Sequence, residues 1–145
     1  MGCRNNQGNI PRILNDEYIS NLETMDICQL RNTILLENPI VKIRALYTGR
    51  DTEILHLTGI DSCKDFQVVL ADGPYFYFVD CSDQKDEITK TNKLHLFRKL
   101  KNLPNDKLIV EVIGIYQSGG YYGHLNSYSE QIIPLEIKVI KLIQY

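Results

Sequence analysis

The sequence is first informative through what it lacks. Its 145 residues include no tryptophan, and no run of about 18 apolar residues, the length that a membrane-spanning helix needs, is present. The net charge is only -2, so the chain has no general attraction for phosphate backbones or anionic lipid. A hydrophobic content of 43% is nevertheless enough for one core. These features indicate a single globular domain.

Sequence signatures of catalysis and metal binding are also missing. No glycine-rich phosphate loop precedes a helix, and no nucleophile elbow surrounds a serine or cysteine. His56, Cys63, Cys81 and His124 lack the short paired spacing that is typical of zinc sites. His124 also has no nucleophile or carboxylate at a suggestive spacing. We therefore predict a protein that is not an enzyme and has no cofactor or metal site, and rank a hydrolase using His124 last among the functions considered.

The first residues indicate a lipid anchor. Residues 1–12 are polar and aperiodic, which predicts a tether ahead of one domain at residues 13–145. For myristoylation, Asn6 occupies the position that requires Ser or Thr. In a bacterial lipoprotein, Cys3 would be the first mature residue after signal-peptide removal, with Met1 a replacement initiator. We favour lipidation at Cys3 and a place in the bacterial cell envelope, facing the periplasm or exterior; the alternative is an unmodified cytoplasmic protein.

The expected pairing of the other cysteines depends on this location. If Cys3 carries lipid, Cys28, Cys63 and Cys81 remain in an oxidising compartment, which allows one disulfide and leaves one thiol. We favour pairing of Cys63 with Cys81, because both lie near the ends of adjacent predicted strands. Small buried free cysteines are the alternative.

Hydrophobic periodicity predicts three helices. The first is short and lies within residues 14–22. The second covers residues 27–37, with Asp26 as its N-cap and its apolar positions on one side. The third covers residues 93–103, where Leu94, Phe97 and Leu100 have helical spacing.

Period-two alternation predicts the strands. The clearest strand has Val41, Ile43, Ala45 and Tyr47 on its inner face. It turns at residues 48–51 into a short strand at 53–57, and the sequence Asp72-Gly73-Pro74 predicts a hairpin between strands at 66–71 and 75–79. The charged residues 80–91 are predicted to form a loop. Two more strands are expected at 108–117 and 132–143, the last with three inward and two outward side chains: Leu135, Ile137 and Val139 against Glu136 and Lys138.

These elements together match a mainly β architecture. Five or six strands, with a helix before the fourth major strand, fit the OB-fold, a five-stranded, partly open Greek-key barrel. Closure of the sheet would remove exposed edges, and the N-terminal helix would be an addition. The main alternative is an antiparallel α+β sheet with two helices on one face.

Several short motifs carry a family resemblance. They are Cys28-Gln-Leu, Asn38-Pro39, Val41-Lys-Ile-Arg-Ala-Leu-Tyr47, Val112-Ile-Gly-Ile-Tyr116, Gly123-His124-Leu125 and Tyr128. Over residues 26–143 the chain resembles small exported or lipid-anchored bacterial proteins with OB-like domains, most of them uncharacterised. The resemblance implies fold and export and brings no catalytic residues. Asn126 departs from the pattern, in which a glycine is more familiar.

Tyrosines mark the predicted binding surface. Residues 118–130 are expected to form a long loop between the last two strands, where OB-folds contact ligands. The predicted ligand-binding residues are Tyr75, Tyr77, Tyr121, Tyr122, His124 and Tyr128. Tyr75 and Tyr77 alternate with Phe76 and Phe78, so we expect the phenylalanines to point inward. The alternative for the loop is structural, with Leu125 and Tyr128 closing the barrel and His124 bonded to a carbonyl.

Three functions are compatible with these features. The first is a binding domain, tethered at Cys3 as its only membrane attachment, for a protein, peptide or glycan. A specialised form would be an immunity-type protein that neutralises a toxin. The other class is a single-stranded nucleic-acid binder in the cytoplasm, for which Lys93, Arg98, Lys99, Lys101 and Lys107 would supply charge. A solvated helix face explains that run equally well, and export would remove most nucleic acid.

Overall fold

A computed structural model describes residues 21–32, 39–48, 56–60, 62–63, 66–71, 73, 75–80, 87–100, 107–122 and 128–143. Several predictions lie outside these residues: the tether, the helix within 14–22, the lipidation at Cys3, and the positions of Cys81 and His124.

Five strands close into a barrel. They are β2 (Ile40–Thr48), β3 (His56–Thr58), β4 (Val68–Leu70), β7 (Lys107–Tyr122) and β8 (Tyr128–Ile143). The pairs β2 with β3, β3 with β4, β4 with β8, β8 with β7 and β7 with β2 complete the circuit. Only β4 with β8 is parallel. The predicted OB-like barrel is confirmed, and its closure leaves none of these five strands without a neighbour on either side.

Other described elements extend the barrel sheet or contribute residues to its core. β1 (Thr24–Asp26) adds to β2 in parallel, and a hairpin of β5 (Phe76–Asp80) and β6 (Glu87–Thr91) adds to β8 through β5. The described residues include two helices, α1 (Ile27–Asn32) and α2 (Lys93–Leu100). Leaving aside β3 and β4, which close the barrel, the order of neighbouring strands is β1, β2, β7, β8, β5, β6.

Both helices begin as side-chain chemistry dictates. The predicted cap of α1 is confirmed: Asp26 Oδ1 accepts from Gln29 N, and Asp26 N donates to Gln29 Oε1, both at 2.9 Å. At α2 the cap is Asn92, whose Oδ1 accepts from His95 N at 3.0 Å.

The apolar face of α2 agrees with the prediction at two of three positions. Leu100 is buried and Phe97 packs against the core as predicted, and Leu96 is buried beside them, whereas Leu94 is 46% exposed. The prediction that Leu94 shares the buried face of α2 was therefore wrong.

The hairpin predicted at Asp72-Gly73-Pro74 is wrong. β4 and β5 both run parallel to β8, β4 beside Gln131 and Ile132 and β5 beside residues 136–139. The chain therefore continues in one direction along β8, and Gly73, with φ 94°, lies within the break.

The true hairpin partner of β5 is β6, inside the segment predicted to be a loop. Polar side chains concealed this strand, because edge strands commonly carry lysine and threonine. Its register places Lys90 opposite Tyr77 and Ile88 opposite Val79.

The core follows the predicted alternation on β2 and departs from it on β8. Val41, Ile43, Ala45 and Tyr47 are all buried. On β8, Ile137 and Val139 are buried as predicted, but Leu135 is only half-buried. Gly114 pairs with Pro134 and Ile113 with Glu136, so Leu135 is the extra residue of a β-bulge.

A disulfide links Cys28 of α1 to Cys63, which follows β3. The predicted pairing of Cys63 with Cys81 was therefore wrong. Helix α1 places the Cα of Cys28 5.7 Å from that of Cys63, a separation that a disulfide requires. Sequence alone gave no sign of this approach, because it depends on how α1 packs against the barrel.

Candidate binding site at the end of the long ribbon

The last two barrel strands continue past the barrel as a two-stranded ribbon. Pairing of β7 with β2 ends at Ile115, apart from one bond from Tyr116 N to Pro39 O, and pairing of β8 with β4 begins at Gln131. Within the described part of the chain, the strand pairs of residues 118–122 and 128–130 are only with each other. We call these residues the distal ribbon. The loop predicted over 118–130 is thus largely strand, and only residues 123–127 fall outside the description.

A β-bulge displays one tyrosine from this ribbon. Ser118 pairs with Glu130 and Tyr122 with Tyr128, so three residues of β7 oppose Ser129 alone. Gly119 has φ 73°, which only glycine adopts freely, and no heavy atom lies within 4 Å of the position a Cβ would take there. The bulge re-aims the next side chains, and Tyr121 is 83% exposed.

The neighbouring tyrosine is packed instead of displayed. A Cβ on Gly120 would collide with the ring and hydroxyl of Tyr122, so the aromatic side chain lies directly over the glycine. Tyr122 is half-buried, as is its cross-strand partner Tyr128. Gly119 and Gly120 therefore have different roles: the first permits the turn of the backbone, and the second makes room for a ring.

Side-chain hydrogen bonds fix the base of the ribbon to the barrel. Tyr116 Oη donates to Glu130 Oε2 at 2.5 Å, and Ser129 Oγ donates to Glu130 Oε1 at 3.2 Å. Gln131 Nε2 donates to Gln117 Oε1 at 2.5 Å. Burial, reinforced by the bond to Glu130, raises the pKa of Tyr116 far above its usual value, so the phenol keeps the proton it donates.

The other predicted site tyrosines lie elsewhere. Phe76 and Phe78 point into the core as predicted, which leaves Tyr75 61% exposed and Tyr77 half-buried on the outer face. Tyr77 is in register with Glu136 of β8, eight positions from Tyr128, or about 26 Å at 3.3 Å per residue. The structure therefore divides the predicted tyrosines between two surfaces.

The predicted basic run on α2 is partly engaged by the fold. Lys93 Nζ donates to the carbonyl of Leu70 at 2.9 Å, and Lys99 Nζ lies 4.9 Å from the ring centre of Phe78. The side chains of Lys101 and Lys107 are outside the description, and Arg98 is exposed. A stronger cationic arrangement lies on the outer sheet face, where Arg44 and Lys90 were not singled out by sequence reasoning.

That outer face has an unusual charge geometry. Glu111 is 9% exposed and interacts with Lys42 Nζ and Arg44 Nη2, each at 3.5 Å. Glu136 is 8% exposed, and burial raises its pKa, assisted by Glu111 and opposed by Lys138 and Lys42.

Neither a metal cluster nor a membrane span is found in the described ranges. They contain no group of three or more His, Cys, Asp or Glu side chains that could bind a metal ion. No helix among them has the length and apolar character needed to cross a membrane.

Comparisons of the chain with protein-family models, curated proteins and solved structures found no match.

Proposed function

We propose that this OB-like domain is a non-enzymatic binding module that recognises a protein, peptide or glycan through the distal ribbon. The observation that carries the proposal is Tyr121. An isolated tyrosine that is 83% exposed adds nothing to a core, and the bulge that displays it needs a glycine in the left-handed region.

The surroundings of Tyr121 support contact with a partner. The ribbon is tied to the barrel through Tyr116 and Glu130, so binding would not have to order a free loop. Exposed Ser118 and Ser129 lie beside the tyrosine on the two strands and offer hydroxyl groups for hydrogen bonds. Tyrosine with neighbouring serine and glycine is a common composition of protein-binding surfaces, since the ring supplies contact area at low entropic cost.

We also propose that the protein acts in an oxidising compartment, anchored to a bacterial envelope through Cys3. The disulfide between Cys28 and Cys63 supports this, because disulfides persist mainly outside the reducing cytosol. An exported location in turn favours protein or glycan partners over nucleic acid.

The test selects ligands from defined libraries. A random-peptide display library and a glycan array are screened with the wild-type protein, and each binder is measured against Tyr121→Ala and, as matched control, Leu94→Ala on α2. Both substitutions remove an exposed large apolar side chain, and Leu94 belongs to neither tyrosine surface. We expect binders that lose at least about tenfold in affinity, 1.4 kcal/mol, with Tyr121→Ala alone. Binders that tolerate Tyr121→Ala throughout would contradict the ribbon as the binding site.

A further inference from the structure

The outer sheet face carries two cross-strand rows of side chains. Strand registers align the first row from β2 to β6 as Lys42, Ile113, Glu136, Tyr77 and Lys90. The second row is Arg44, Glu111, Lys138, Val79 and Ile88. Four strand spacings separate the ends of each row, about 19 Å. The side chains of this face come from five strands spread over residues 42–138, so no local stretch of sequence shows its composition.

On this face the negatively charged side chains are more deeply buried than the positively charged ones. The two carboxylates are the buried groups, Glu111 at 9% and Glu136 at 8% exposure. The cations are shallower: the side chain of Arg44 is 50% exposed and that of Lys42 is 23%, while Lys90 is exposed. A chain with net charge -2 therefore presents a mainly positive surface here. We call Lys42, Arg44, Lys90 and Lys138 the cationic face.

Glu111 prepares two of these cations for a ligand. Its two oxygens each interact with a different cation, Oε1 with Lys42 and Oε2 with Arg44. The guanidinium of Arg44 directs Nη2 toward Glu111, and half of its side chain is exposed to solvent. Because an arginine has five donors in a fixed plane, such an oriented guanidinium can bind a second carboxylate at reduced entropic cost.

Apolar and aromatic groups adjoin the cations. Val79 is 2% exposed and Ile113 8%, and Tyr77 has Lys90 Nζ 6.0 Å from its ring centre. Tyr75 lies two residues before Tyr77 and is 61% exposed. Val79 and Ile113 are therefore covered by the surrounding side chains, and the groups offered to a partner are arginine and tyrosine, which are enriched in protein interfaces.

We propose that the cationic face, with Tyr75 and Tyr77 beside it, is a docking surface for an acidic polypeptide segment. The partner is identified by charge complementarity: its carboxylates bind Arg44 and Lys90 while its apolar groups contact Tyr75 and Tyr77. This surface is distinct from the distal ribbon and does not depend on ribbon function.

The experiment measures binding of fluorescent poly-L-glutamate at about 10 mM salt, where the Debye length is about 30 Å. The variants are Arg44→Gln and Lys90→Gln, with Arg98→Gln on α2 as the matched control for loss of one exposed arginine. Lys90→Gln keeps the test valid if Arg44→Gln weakens the fold, since no ion pair among the described residues involves Lys90. A dT oligonucleotide is measured in parallel.

We expect poly-L-glutamate binding to fall at least fivefold (about 1 kcal/mol) with Arg44→Gln and with Lys90→Gln, and to be unchanged with Arg98→Gln or Tyr121→Ala. Equal losses with Arg98→Gln would show nonspecific attraction and overturn the proposal. So would the absence of binding by the wild type, or tighter binding of the oligonucleotide with the same dependence on Arg44.

Discussion

Removal of the disulfide tests how α1 is attached to the barrel. Cys28 and Cys63 are 35 residues apart, and closure of such a loop in the unfolded chain corresponds to about 4 kcal/mol of stabilisation at 25 °C. Measured losses are commonly smaller than this loop-entropy value, so we expect a net loss of about 2 to 3 kcal/mol.

The assay is urea unfolding of Cys28→Ala/Cys63→Ala beside the oxidised wild type, with melting temperatures measured in parallel. For a chain of 145 residues, about 3 kcal/mol corresponds to a decrease in Tm of about 10 °C. Cys81→Ala is the matched control and should retain both the linkage and the stability. Non-reducing peptide mapping that finds Cys63 as a free thiol, or joined to Cys81, would refute the reasoning.

Three further substitutions test local geometry. Glu136→Gln should leave the free energy of unfolding unchanged near pH 4 and should increase it relative to wild type as pH rises. Burial raises the pKa of the native carboxyl above its usual 4.5, so above pH 4.5 the native state binds more protons than the unfolded state and the wild type loses stability. Urea titrations in which the two proteins give parallel pH profiles would contradict this. Gly114→Ala should cost about 1 to 3 kcal/mol in urea unfolding, since its Cβ would lie 2.5 Å from the carbonyl oxygen of Ile133, and a Tm within a degree of wild type would contradict the close approach. Gly120→Ala should displace the ring of Tyr122 and shift its NMR resonances with little loss of global stability, whereas unchanged resonances would show that the ring does not lie over the glycine.

Sequence patterns predicted the parts of the fold whose signals are local. The alternation of β2, the cap at Asp26 and the inward turn of Phe76 and Phe78 each depend on neighbours in sequence, and the structure confirms them. Together with the number of predicted strands, these features were sufficient to predict the OB-like barrel.

Non-local geometry explains the predictions that were wrong. Pairing of Cys28 with Cys63 depends on the docking of a helix, and the continuation of β5 along β8 overrides the turn chemistry around Gly73. The bulge at Leu135 shifts the alternation of β8 by one residue. Pro134 beside it is a signal, because proline within a strand often marks a bulge, but the prediction of strict alternation over residues 132–143 did not use it.

The candidate site was only partly predictable. The Gly-Gly-Tyr-Tyr sequence correctly drew attention to residues 119–122, but its glycines indicated a loop, whereas they produce a bulge in a paired ribbon. Arg44 and Lys90 lie on one face only because of the order of five strands in the sheet, and a local sequence pattern does not reveal that order.

The most direct test of binding through the distal ribbon compares Tyr121→Ala with Leu94→Ala for a ligand selected on the wild-type protein, measured by isothermal titration. We predict that Tyr121→Ala raises the Kd at least about tenfold while its Tm stays within a degree of wild type, and that Leu94→Ala leaves that Kd unchanged. Equal affinities for the wild type and Tyr121→Ala would contradict the account.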